Sequence, residues 1–252
     1  MANKKKVKKR LQIFLLLLWL ASPRIFSQST MASQSLPTAE VVLKASIQYH
    51  DPKGVWAKEA FQLSLRESRP DAITRETAIR IDNKTGAFEL SQKREGHLLF
   101  RSIKGDQCES KLDGSTEVSE EDRKKHRLTC DYNRNVRNYY TYLNGLPMKL
   151  RDPGTIIHET IQVKNFQGKE LLEMKVTYDP AVGNDTWYFY FDPSSYALQG
   201  YRFYHDESKN DGEYITLAGE EKIGKLRLPK VRKWYTHQED KLLGTDELVG
   251  GR

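Results

Sequence analysis

Turn-forming clusters divide this chain into short segments from Trp56 to the C-terminus, and that spacing constrains the fold more than any other feature. Between the clusters, apolar and polar residues alternate. "WAKEAFQLSLRE" puts Phe61, Leu63 and Leu65 on one face; "ITRETAIRID", "GAFELSQKR" and "GHLLFRSIKG" follow, the last two joined as a hairpin around "REG". A second series comprises "HETIQVKNF", "GKELLEMKVTYD", "DTWYFYFD", "YALQGYRFYHD", "GEYITLAGEE", "KLRLPKVRKWYTH" and "LLGTDEL". Its joins include "NFQGKE", "DPAVGND" and "DPSS", and Asn210-Asp211-Gly212 is a hairpin signal. Successive strand residues point to opposite faces, so this period of two gives each strand one buried side. About ten or eleven strands at such spacing predict an antiparallel sheet, because parallel strands need long crossovers between them.

Three segments read as helices. "PTAEVVLKASIQYHDPKG" has Thr38 as N-cap, brings Val41, Val42, Ala45 and Tyr49 close to one face, and stops at Asp51-Pro52. "SEEDRKKHRL" is short and polar, with Ser119 as cap and acids in its first turn. "NRNVRNYYTYLNGLP" spaces Val136, Tyr139, Tyr140 and Leu143 for one buried face and ends at Gly145.

One strand breaks the alternation. Trp187-Tyr188-Phe189-Tyr190-Phe191 is aromatic on both faces, and the next strand adds Tyr201, Phe203 and Tyr204. Such a strand is covered on both sides, or is covered on one and lines a cavity on the other. A single sheet with helices against a concave, partly open face satisfies both patterns.

The charge distribution points to export. Seven of the 41 basic residues precede Thr30 with no acid among them, which leaves 34 basic against 34 acidic residues in the rest. The remainder lacks the concentrated positive field that nucleic acid requires, so no nucleic-acid partner is expected. "MANKKKVKKR" followed by apolar Leu11–Ala21 and "SPRIFSQS" reads as a signal peptide over residues 1–29. The apolar run is shorter than the ~20 residues of a membrane span, so no spanning segment is expected after cleavage; an uncleaved anchor or a buried helix is the alternative. Residues 30–37 form a flexible leader, and 38–252 a single domain. In an oxidising compartment Cys108 and Cys130, the two cysteines of the chain, are expected to pair and to pin an insertion near 105–131. Two buried free thiols are the other reading.

"WYFYFDPSSYALQGYRFY" resembles the lipoprotein-carrier (LolA/LolB-like) superfamily, in which an aromatic strand leads through an Asp-Pro-x-Ser/Thr turn into its antiparallel neighbour. With "YYTYLNGLPMKLRDPGT" and "YHDESKNDGEY", the region after the leader is similar to an exported bacterial family known as a domain of unknown function. The resemblance implies an α+β, mostly β fold: an antiparallel open half-barrel of about ten or eleven strands, with helices covering the concave face. In carriers of that shape the cavity accepts acyl chains.

Two Tyr-His-Asp triplets, Tyr49-His50-Asp51 and Tyr204-His205-Asp206, stand out among six histidines. Together they could hold a metal or perform acid–base chemistry. Each also has a local explanation: His50-Asp51 ends a helix, and His205 and Asp206 diverge on a strand. Asp206–Glu213 is rich in oxygen ligands, but its sixth and twelfth positions, Asp211 and Leu217, do not fit a calcium loop. GxSxG, HExxH, Walker and GxGxxG motifs do not occur. No catalytic residue, metal or cofactor is therefore assigned. The expectation is a non-catalytic periplasmic or secreted protein that binds an apolar or lipid-like ligand through Trp56, Phe61, Trp187, Phe189, Phe191, Tyr201, Phe203 and His205. The alternatives are a histidine/carboxylate-dependent enzyme and a scaffold that binds an envelope protein through a sheet edge.

Overall fold

The structure, a computed structural model, describes residues 35–252. The expected signal peptide, and all but the end of the expected leader, lie outside the described residues.

Two antiparallel meanders build one sheet. β1 (Ala60–Arg69), β2 (Ala72–Asp82), β3 (Ala87–Arg94), β4 (His97–Lys104) and β5 (Gln107–Leu112) step outward to one edge. β6 (Thr155–Phe166), β7 (Lys169–Tyr178), β8 (Thr186–Phe191), β9 (Leu198–Tyr204), β10 (Glu213–Ile223), β11 (Leu226–Thr236) and β12 (Leu242–Gly251) return from the opposite edge. β12 pairs with β1 and closes the order β5-β4-β3-β2-β1-β12-β11-β10-β9-β8-β7-β6. The expected open antiparallel half-barrel with helices on it is present, with twelve strands in place of ten or eleven. β5 is the strand the alternation does not reveal. "QCESKL" is an edge strand that buries Leu112 alone, so no apolar period marks it.

The expected turns form, with one exception. At "DPSS" the Asp192 carboxylate accepts from the Ser194 amide (3.0 Å), the Ser195 amide (2.7 Å) and the Ser195 hydroxyl (2.9 Å), which reverses β8 into β9. Asn210-Asp211-Gly212 does not make a two-residue hairpin. Residues 205–212 connect β9 to β10 through a 3₁₀ turn (Glu207–Lys209) capped by Asp206, and Asn210 and Gly212 take positive φ to leave it.

Helix α1 (Ala39–His50) is capped by Thr38, whose side chain accepts from the Val41 amide. Its buried stripe is Ala39, Val42, Leu43, Ser46 and His50, rotated from the expected face; Val41 is half exposed. The stripe turns because His50 is buried through hydrogen bonds, which an apolar period cannot register. Between β5 and β6 the chain passes from one edge of the sheet to the other, carrying α2 (Glu120–Lys125), α3 (Cys130–Gly145) and a 3₁₀ turn (Met148–Arg151). The Cys108–Cys130 disulfide fastens the first residue of α3 to β5. Leu99, Leu112 and Leu128 form a small core beneath this segment.

The inward rows divide into two main cores. Phe61, Leu63, Leu65, Ile79, Ile81, Phe88 and Leu90 pack with Trp56 and Tyr140 in one. Leu172, Met174, Val176, Phe189, Phe191, Tyr201 and Ile215 pack with Val42 and Leu43 of α1 and Leu143 of α3 in the other. α3 thus lies between the cores and contributes to both.

Candidate functional site

α3 is fastened to the sheet by polar groups as well as by packing. Its buried residues are Asn133, Tyr140, Leu143, Asn144 and Gly145. Arg232 of β11 donates to the Leu143 carbonyl (2.8 Å) and to Asn144 Oδ1 (3.4 Å). The Tyr140 hydroxyl donates to Glu67 (2.9 Å), whose other oxygen accepts from Thr77 (2.5 Å) and Gln92 (3.3 Å). These side chains bridge helix and sheet.

Beside α3 lies a cleft of about 800 Å³. Tyr139, Tyr142 and Leu143 form the helix side, and Trp187, Phe203 and Trp234 the sheet side. Trp187 stacks on Phe203 at 4.8 Å and meets Tyr142 edge-on at 5.7 Å; Tyr139 stacks over Trp234 at 6.3 Å. Two of these rings have their polar ends paired. Trp234 Nε1 donates to Asp246 (2.7 Å), and the Tyr142 and Tyr178 hydroxyls share a hydrogen bond of 2.5 Å. Burial pushes the Tyr178 phenol up to about 12. The rings are therefore neutral and present apolar faces to the cleft.

Strand register decides which aromatics fill the core and which border the cleft. Trp234, Ile215, Tyr201, Phe189 and Met174 are successive cross-strand partners. The middle of this row is sealed: Ile215, Tyr201, Phe189 and Met174 have no exposed surface. One step along, Glu213, Phe203, Trp187 and Val176 are partners, and the first three of these line the cleft. Burial raises the pKa of Glu213. At the rim His205 packs edge-on against Phe203 (5.4 Å), and its Nδ1 bonds Asp185 (2.7 Å), which raises the His205 pKa.

Of the residues singled out in the sequence, Trp187 and Phe203 border the cleft with His205 beside them. Phe189, Phe191 and Tyr201 lie in the core behind it. Trp56 and Phe61 stack on each other at 5.7 Å in the other core. Tyr139, Tyr142, Tyr178 and Trp234 complete the cleft and were not singled out as ligand residues. The period of two in "KVRKWYTH" would have found Trp234, since Leu228 and Arg232 share its face.

The two Tyr-His-Asp triplets do not share a site. His50 accepts from the Leu198 amide at Nε2 (3.0 Å) and meets the Arg227 carbonyl at Nδ1 (2.7 Å), so Nδ1 carries the proton. Both ring nitrogens are used. The Asp51 carboxylate accepts from the Val55 and Trp56 amides (2.8 and 2.9 Å). Asp206 caps its 3₁₀ turn and pairs with Lys209 (2.9 Å). Among the described residues no group of three or more His, Cys, Asp or Glu is placed to hold a metal, and no helix is long and apolar enough to cross a membrane.

The sequence model of DUF6503, a family of unknown function, matches residues 11–251. No curated protein matches the chain in sequence. A LolA superfamily protein from Nitrosomonas europaea is similar in structure, with a TM-score of 0.52 and 10% identity over 86% of this chain and 94% of that one. A domain assigned as an outer membrane lipoprotein-sorting protein from Vibrio parahaemolyticus gives 0.47 and 10%, over 84% and 92%. A DUF1329 family protein from Desulfovibrio piger gives 0.43 and 9%, over 84% and 92%. At such identity the first likeness shows a shared LolA-like fold, and the two lower scores add nothing to it.

Proposed function

The chain belongs to DUF6503, a family of unknown function, and from that premise we propose that it is a non-catalytic envelope protein, periplasmic or secreted, that binds an apolar, lipid-like ligand. The aromatic cleft beside α3 carries this reading. An open space of about 800 Å³ with Trp187, Phe203, Trp234, Tyr139 and Tyr142 around it suits an acyl chain or comparable apolar surface. Desolvation would supply the affinity at roughly 25 cal/mol per Å² of buried apolar area. The LolA-like fold supports it, since the resemblance to the carrier superfamily implies a cavity that accepts acyl chains. The disulfide supports an oxidising compartment, as does the charged and then apolar N-terminus.

Binding of a fluorescent fatty acid to the purified, delipidated protein tests the proposal. Saturable binding is expected, and Trp187→Ala with Phe203→Ala should weaken it about tenfold, the effect of losing about 55 Å² of contact at 25 cal/mol per Å². No saturable binding, or a folded double variant that binds like the parent, would overturn it.

A further inference from the structure

A second hollow, of about 560 Å³, lies between α3 and the inner side of β1–β4, and Tyr139 borders both it and the aromatic cleft. Its character is opposite. Arg69, Arg75, Arg94, Arg101, Lys125 and Arg127 line it, with Glu67 as the one lining carboxylate. Arg69 is matched by Asp246 (2.9 Å) and Arg94 by Glu95 (3.2 Å). Among the described residues Arg75, Arg101, Lys125 and Arg127 form no ion pair. Glu67, which also accepts from Thr77, Gln92 and Tyr140, offsets one of these charges, and the lining keeps a positive excess.

Two features make this more than a solvated basic surface. Arg101 is 5% exposed, yet its guanidinium meets neutral acceptors alone: the Arg127 carbonyl (2.9 Å), the His126 carbonyl (2.6 Å) and Asn133 Oδ1 (2.7 Å). A buried cation without a counter-charge is costly to the fold, and desolvation lowers the Arg101 pKa accordingly. Arg75 opposes Glu67 across the sheet, and Arg94 opposes His97. Glu76 opposes Lys93, so Arg75 and Arg94, one position further out, share the inward side as adjacent like charges. An anion bound here would relieve both costs, and guanidinium groups suit phosphate and carboxylate geometry.

The two hollows adjoin at Tyr139, and a row of contacts runs from one to the other. Tyr139 stacks on Trp234, Trp234 donates to Asp246, and Asp246 pairs with Arg69 of the basic hollow. We propose that the basic hollow takes the anionic head, a phosphate or a carboxylate, of the amphiphile whose apolar part occupies the aromatic cleft. This rests on the reading of that cleft as an apolar-ligand site, and it narrows the ligand to an anionic amphiphile.

Calorimetric titration with three probes below micellar concentration separates the possibilities: lysophosphatidylglycerol, lysophosphatidylcholine with the same acyl chain, and glycerol phosphate. Lysophosphatidylglycerol should bind about tenfold tighter than lysophosphatidylcholine, the effect expected of one charge-assisted pair. Arg75→Gln with Arg127→Gln should erase the difference, and an unchanged thermal melt verifies the fold. Equal binding of the two lysolipids, or a preference that survives in the variant, overturns the inference and leaves the apolar cleft standing. If neither lysolipid binds, the cleft reading fails. Glycerol phosphate then decides the basic hollow alone: binding lost in the variant retains it as a site for free phosphate, and no binding overturns it.

Discussion

His50→Ala should destabilise the protein by about 2–6 kcal/mol, since it orphans two buried backbone groups at about 1–3 kcal/mol each. The groups are the Leu198 amide in β9 and the Arg227 carbonyl in β11, and the 3% exposed ring between them joins both strands to the end of α1. Urea unfolding at pH 8 reads the loss, and at about 2–3 kcal/mol per molar the midpoint should move by about 0.7–3 M. A pH series isolates the cause. Desolvation lowers the His50 pKa below its usual value of 6.5, so below pH 6.5 the unfolded chain takes up a proton that the folded ring refuses. The stabilisation is complete above pH 6.5 and declines as pH falls toward the depressed folded value, by up to about 1.4 kcal/mol per pH unit. Burial also lowers His126 and His237, and Asp185 raises His205 with the opposite sign. All three are common to parent and variant, so the difference between the two curves belongs to His50. A loss below about 0.5 kcal/mol at pH 8, or parallel curves from pH 6.5 downward, would refute the structural role and return His50 to consideration as a reactive group.

Reduction of Cys108–Cys130, or Cys108→Ser with Cys130→Ser, should cost about 3 kcal/mol by the chain-entropy argument for a separation of 22 residues, read as a urea midpoint shift. Gly145→Ala should cost about 1–3 kcal/mol through overpacking, because an added Cβ would lie 2.4 Å from the buried Trp56 ring. The check is a thermal melt lowered by several degrees, and an unchanged melt would mean that the helix end is loose.

The regular parts of the fold were legible because their causes are local. The Thr38 and Ser119 caps, the Asp192 turn and the Phe61-Leu63-Leu65 alternation each depend on residues a few positions apart, and each appears as expected. β5 was hidden because an edge strand with one buried residue has no apolar period. The buried face of α1 was misplaced because Ser46 and His50 go inward. The cleft was half legible: the aromatic strands β8 and β9 announce a crowded inner wall, but which rings it exposes depends on where α3 crosses. The basic hollow was invisible for a related reason. Net charge after Thr30 is zero, and Arg75, Arg94, Arg101 and Arg127 are scattered along the sequence until register brings them to one side.

The two hollows share one topological origin. The first meander ends at one edge of the sheet and the second begins at the other, so residues 113–154 must return across the concave side. A strongly apolar helix on that path would settle into the sheet and leave a filled core. α3 instead places Asn133, Tyr140 and Asn144 inward, and the sheet answers with Arg101, Glu67 and Arg232 from β4, β1 and β11. These pairs fix the position of α3 over the sheet, and the spaces beside it stay open. Trp187, Phe203 and Trp234 from the second meander border one space, with Ile81 and Ala87 of the first at its far side, and the arginines of β1–β4 border the other. An apolar cleft and a basic hollow on either side of one helix are thus what this connection and this polar seam together produce.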